Sequence, residues 1–148
     1  MNLIGSILPA SHCILDLDVG SKKRLFEEIG KLLESNNGLS RTDVFECLFA
    51  REKLGSTGLG QGVAVPHGRH ASVKQAVGVF VRLKEPVSFD APDGKPVSLV
   101  AALLVPEDAC CEHLQVLSEL AGRFSAKSVR EALQTAQSPE AAHSILTE

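Results

Sequence analysis

The run Val97–Val105 (VSLVAALLV) constrains this chain most, because it is aliphatic along its whole length apart from Ser98. A strand with apolar residues at both odd and even positions has no polar face, so it belongs in the middle of a sheet covered on both sides. It is also far too short for a bilayer, which takes about 20 apolar residues as a helix. Val63–Val65 and Val77–Leu83 share its Val-rich character and read as further strands. Asp93-Gly94, between Val87–Phe89 and Val97, is a hairpin signal.

Upstream, Cys13–Val19 alternates. Cys13, Leu15, Leu17 and Val19 fall on one face and Asp16 and Asp18 on the other, which predicts a half-buried strand with a solvated carboxylate pair. Ser21 can cap a helix whose Leu25, Phe26, Ile29, Leu32 and Leu33 follow the 3.6-residue period, and Asn36-Asn37-Gly38 stops it. Ser40 with Asp43 resembles a capping box and opens a second helix, with Val44, Phe45, Leu48 and Phe49 buried, that ends near Gly55. Three helical stretches close the chain: Cys110–Phe124, Ser125–Ala136 with Ser125 as cap, and one opened by Ser138-Pro139-Glu140. No repeat, low-complexity tract or linker interrupts this order. The expectation is one compact α/β domain over residues 1–148, with a mixed central β-sheet flanked by helices on both faces.

Charge and composition narrow the function. A net charge of −3 and a pI near 6.0 argue against a nucleic-acid binder driven by counterion release, and Lys22-Lys23-Arg24 is the only basic run. Six Phe with no Trp or Tyr disfavour stacking sites for sugars or bases. The start MNLIGSILPASHC lacks a basic leader region, so a cytoplasmic protein without membrane insertion is expected. Cys13, Cys47, Cys110 and Cys111 then read as reduced thiols, and no CxxC pair suggests zinc.

The chemistry concentrates in Ser56–Arg69 (STGLGQGVAVPHGR). His67 stands between Pro66, which restricts the backbone, and Gly68, which allows a turn. A neutral imidazole on such a stiff mount is a competent nitrogen nucleophile; the plainer alternative is a turn histidine that caps a carbonyl. Gly55–Gly60 contains Ser56, Thr57 and Gly58, so it can aim N–H and O–H groups at an anion, although the P-loop pattern is absent. His113 borders the buried face in the first turn of a later helix, where it could assist an anionic site or merely edge the core. Arg51, at the end of the second helix, could bring positive charge or be a solvated surface arginine. A metal site from His67, His70 and His113 lacks ligands at motif spacing, so neither metal nor cofactor is expected. Cys110-Cys111 beside His113 matches no catalytic cysteine motif.

The run Arg51–Gly68 (REKLGSTGLGQGVAVPHG) closely resembles the active-site signature of the fructose/mannitol-type enzyme IIA domains of the phosphoenolpyruvate-dependent phosphotransferase system, above all their nitrogen-regulatory branch. The resemblance extends through VGVFVRL, SFDAPDGKPVSLVAALLVP and HLQVLSELAGRF to nearly the whole chain. It implies an α/β sandwich, with His67 taking a phosphoryl group from a phosphohistidine on a small histidine phosphocarrier protein. It implies an assisting His113 and a phosphoryl-binding set of Arg51, Ser56, Thr57, Gly58 and Gly68. The branch implies a regulatory role through potassium-transport or sensor proteins. Two alternatives stay open: a sugar-specific IIA that passes phosphate to a separate IIB, and a binding module that is never phosphorylated. A metal-dependent hydrolase is a more distant one.

Overall fold

Strand β6 (Val97–Pro106) takes the central place its composition demands, hydrogen-bonded on both edges. The computed structural model describes residues 3–108 and 111–147, with the backbone alone for 111–114. On one edge β6 pairs antiparallel with β5 (Val77–Val87), which in turn pairs in parallel with β1 (Cys13–Leu17). On the other edge it takes two short strands in succession, β3 (Val63–Ala64) and β4 (His67–His70), both parallel to it. A further strand, β2 (Gly58–Gly60), closes this side antiparallel to β3. The sheet is therefore mixed.

Alternate residues of β6 feed two separate cores. Val100, Ala102 and Leu104 pack with Leu25, Phe26, Ile29 and Leu33 of α2 (Lys22–Asn37) and with Val44 and Leu48 of α3 (Arg41–Lys53). Leu99, Ala101 and Leu103 face the opposite layer: α1 (Leu3–Ile7), α4 (Cys111–Ser125), α5 (Lys127–Thr135) and α6 (Pro139–Thr147), with Ile4, Leu120, Phe124, Leu133 and Leu146 buried. No described helix is long and apolar enough to cross a membrane.

The expected caps form at α2, where the Ser21 hydroxyl accepts from Arg24 N (3.2 Å) and Gly38 turns left-handed (φ 71°). They also form at α3, where Ser40 accepts from Asp43 N (3.3 Å). Ser125 is different. It belongs to the end of α4, its hydroxyl donating back to Gly122 O (2.7 Å), and α5 begins after Ala126 without a side-chain cap.

Two strand expectations change. In β1 the alternation breaks at Asp16, whose φ of 56° makes a bulge: Cys13 and Leu15 face one core while Ile14 and Leu17 face the other. Asp16 is not simply solvated either, since Arg82 donates to both its oxygens from Nε and Nη2 (3.1 Å each). Arg82 is only 8% exposed, and its Nη1 also donates to the carbonyls of Leu133 (2.9 Å), Gln134 (3.1 Å) and Ala136 (2.8 Å). One arginine thus ties β1 and β5 to the end of α5. The second change is the hairpin. β5 continues through Val87, and residues 88–96 form a longer connection in which left-handed Gly94 donates to Ala91 O (2.9 Å).

Candidate functional site

Pro66 has no N–H for the ladder, so the edge beside β6 breaks into β3 and β4 with Val65-Pro66 between them. Pairing continues across the break because Leu103 N donates to Pro66 O (2.9 Å). The Val65 carbonyl is left to meet Nδ1 of His67 at 2.9 Å. A carbonyl can only accept, so Nδ1 carries the proton and, in the neutral ring, Nε2 keeps its lone pair. Burial holds the pKa of His67 below the usual imidazole range, and Arg51 and Arg69 add to this; the Val65 hydrogen bond and the Glu52 carboxylate pull the other way. His67 is the first residue of β4 and stands there as a half-buried neutral imidazole with a defined tautomer.

Gly68 serves packing rather than turning. It lies within β4 without a left-handed backbone, and a Cβ there would collide with Cys47 Sγ and stand 3.0 Å from Cys47 O. This close approach lets α3 lie against β4, where Cys47 Sγ also donates to Arg69 O (3.1 Å). Arg51 lies one helical turn beyond Cys47, on the same side of α3. Its Nη1 donates to Gly55 O (2.8 Å), which anchors the start of the small-residue loop.

Within that loop both hydroxyls already have partners. Thr57 Oγ1 donates to Glu52 Oε1 (2.5 Å), and Ser56 Oγ donates to Phe89 O (2.5 Å) while accepting from Gly58 N (3.0 Å). Gly58 opens β2 and touches Ala91, leaving no room for a Cβ. The β2–β3 turn needs three consecutive left-handed residues, Gly60 (φ 87°), Gln61 (φ 59°) and Gly62 (φ 81°), and Asp93 steadies it by accepting from Gln61 N (2.9 Å).

Sequence reasoning passed over Glu52. It is 7% exposed and accepts from Lys22 Nζ (3.0 Å), Thr57 N (3.0 Å) and Thr57 Oγ1. The available signal was its position next to Arg51, ahead of a loop rich in N–H and O–H groups that a carboxylate can collect. His70 engages Ser72 through Nδ1, which lies 2.8 Å from Ser72 Oγ, and Nε2 is 3.9 Å from Asp43. The His113 side chain, and Cys110 with the Cys111 side chain, lie outside the described residues.

The sequence pattern described as "Phosphoenolpyruvate-dependent sugar phosphotransferase system, EIIA 2" matches residues 6–148. The chain belongs to this EIIA family. A nitrogen regulatory protein from Klebsiella oxytoca is 48% identical over 129 residues, covering 86% of this chain and 80% of that protein. The crystal structure of nitrogen regulatory protein IIA-Ntr from Neisseria meningitidis is 70% identical with a TM-score of 0.94, covering 99% of this chain and 100% of that one. The Escherichia coli mannitol IIA, solved in complex with its phosphorylated IIB, is 25% identical with a TM-score of 0.77, covering 95% and 98%. These relatives favour a phosphoryl-accepting regulatory IIA protein over a sugar-specific component or an unmodified binding module.

Proposed function

We propose that Nε2 of His67 accepts the phosphoryl group, delivered by a phosphohistidine on a histidine phosphocarrier protein, within a single IIA domain spanning residues 1–148. The observation that carries this reading is the Nδ1–H to Val65 O bond (2.9 Å), which leaves Nε2 as the nucleophile in a ring that burial keeps neutral. The Nε2 lone pair attacks phosphorus as the carrier's N–P bond breaks, and the departing electron pair stays on the carrier nitrogen. Positive charge develops on the His67 ring as this happens, and the Val65 carbonyl stabilises it. Arg51, with one guanidinium nitrogen on Gly55 O and four further N–H donors in its fork, supplies charge to the phosphoryl oxygens. His113 is the assisting residue. Gly58 and Gly68 keep the backbone close, while Ser56 and Thr57 contribute by holding the loop in shape. Leu54 (85% exposed), just ahead of the loop, and Leu59, within it, offer apolar contacts to the docking carrier.

Phosphorylation then adds negative charge inside this rim and changes which regulatory proteins can bind, potassium-transport or sensor proteins among them, in the cytoplasm. The test is intact mass after incubation with phosphoenolpyruvate, enzyme I and the phosphocarrier. The expected result is a single acid-labile adduct on the wild type and none on His67→Ala. An adduct that survives in His67→Ala removes His67 as the acceptor. Incubation of the phosphorylated protein with IIB proteins separates the regulatory reading, which expects no transfer, from the sugar-transport one.

A further inference from the structure

Glu52 is a buried charge that the transfer chemistry above does not use. Its side chain is 3% exposed, its two oxygens collect one ammonium, one backbone N–H and one hydroxyl, and Lys22 reaches it from α2 while remaining 18% exposed. The same carboxylate is joined to the His67 ring by a short relay: Glu52 accepts from Thr57 N (3.0 Å), the Thr57 carbonyl accepts from Val65 N (3.0 Å), and the Val65 carbonyl accepts from His67 Nδ1 (2.9 Å). At that range its charge acts against those of Arg51 and Arg69. A buried carboxylate near a phosphoryl acceptor is not neutral toward the product. When the PO3 group moves from the carrier to Nε2, no proton has to move and the site gains one net negative charge. Glu52 opposes that charge, and Lys22 offsets the opposition.

We propose that the Lys22–Glu52 pair sets the phosphoryl-transfer potential of His67: the buried carboxylate disfavours the phosphorylated form enough to keep transfer reversible, and the lysine limits how far. This rests on the reading of His67 as acceptor. Glu52 is a positioning residue in this scheme, acting through its field and through Thr57 rather than by touching phosphorus. A purely structural role for the cluster makes a different statement, because loss of either partner would then loosen the loop and impair phosphorylation alike.

The two readings differ in sign, and one experiment separates them. The protein is equilibrated with a fixed ratio of phosphorylated to unphosphorylated carrier, and its phosphorylated-to-free ratio is read by intact mass. Glu52→Gln keeps one oxygen to accept from Lys22 Nζ and Thr57 N, turns the Thr57 hydroxyl contact round so that the amide donates to it, and should raise that ratio roughly three- to tenfold. Lys22→Met should lower it by a similar factor, and Lys22→Arg should restore the wild-type value. The His67 titration midpoint, followed by NMR, should fall in Glu52→Gln and rise in Lys22→Met. Lower phosphorylation in both variants, or an unchanged ratio in both, overturns the inference. If Glu52→Gln does not fold, the His67 midpoint keeps the test decisive: it should rise in Lys22→Met and return in Lys22→Arg, and a midpoint that stays unchanged or falls in Lys22→Met overturns the inference. A wild-type protein that takes no phosphate from a phosphorylated carrier overturns the underlying assignment of His67 instead, and this inference with it.

Discussion

Replacing Gly68 with Ala tests how the site is assembled. The backbone at Gly68 is not left-handed, so alanine meets no conformational barrier there and the whole cost comes from α3. The added methyl overlaps Cys47 Sγ and crowds Cys47 O at 3.0 Å. The thiol can rotate away, but the carbonyl belongs to the helix backbone and can retreat only if α3 moves. Overpacking of this kind costs about 1–3 kcal/mol. The restricted unfolded chain returns about 0.4–1 kcal/mol of that. A net loss of about 1–2 kcal/mol follows, which at a urea m-value near 1–2 kcal/mol/M lowers the unfolding midpoint by about 1 M. Moving α3 also carries Arg51 away from His67, so phosphorylation by the carrier should slow more than the stability loss alone explains. Adding Cys47→Ala removes the thiol collision but leaves the carbonyl contact. The double variant should therefore recover part of the stability, with a coupling of about 1 kcal/mol, and little of the rate. Gly68→Ala with a wild-type midpoint and a wild-type phosphorylation rate would refute the argument that close α3–β4 approach builds the site.

Three further outcomes follow from the same contacts. Arg82→Met should destabilise the fold by about 3 kcal/mol, since it strands the carbonyls of Leu133, Gln134 and Ala136 and leaves Asp16 without its cation; urea unfolding at pH 7 measures it. Burial lowers the His67 pKa from its ordinary 6.5, so the unfolded chain binds the extra proton first as pH falls. The stability contributed by the neutral ring is thus fully present above pH 6.5 and is lost below it, toward the folded-state value, and His67→Ala should flatten the pH dependence of the urea midpoint across that window. Burial pushes the thiols of Cys13 to about 12 and Cys47 to about 11, so both should resist iodoacetamide at pH 8 in the native protein and react once it is unfolded, as peptide mapping would show.

The fold was legible where a local pattern and its tertiary use coincide. β6 is apolar on both faces because both faces are covered, and Ser21 and Gly38 cap α2 with chemistry that needs no distant partner. It was illegible where a long-range contact overrides the local rule. Asp16 alternates correctly on paper, yet Arg82, 66 positions away, holds it in a bulge that sends its neighbours to opposite cores. Arg82 itself sits inside a run that reads as an ordinary buried strand. Only the carbonyls at the end of α5 explain why a cation is stable there. Ser125 could cap the helix after it or close the one before it with equal local logic, and α4 claims it.

At the site the same division has a chemical consequence. The sequence singles out His67 for its stiff mount between Pro66 and Gly68; in the fold Pro66 also breaks the strand edge, and that break frees the Val65 carbonyl to set the tautomer. For the loop, composition leaves the direction of each donor undecided. Gly55–Gly60 is rich in N–H and O–H groups, and such a loop can serve either an arriving anion or a resident one. Glu52 decides between them: as a carboxylate held in the fold it takes the Thr57 hydroxyl and the Thr57 N–H, while Ser56 is spent on Phe89 O. If His67 is the acceptor, as proposed, its dianionic phosphoryl group would have to draw its donors from Arg51 and the remaining backbone, or compete with Glu52 for Thr57. On the proposed reading, that competition adds to the field of the carboxylate in setting how readily His67 holds the group.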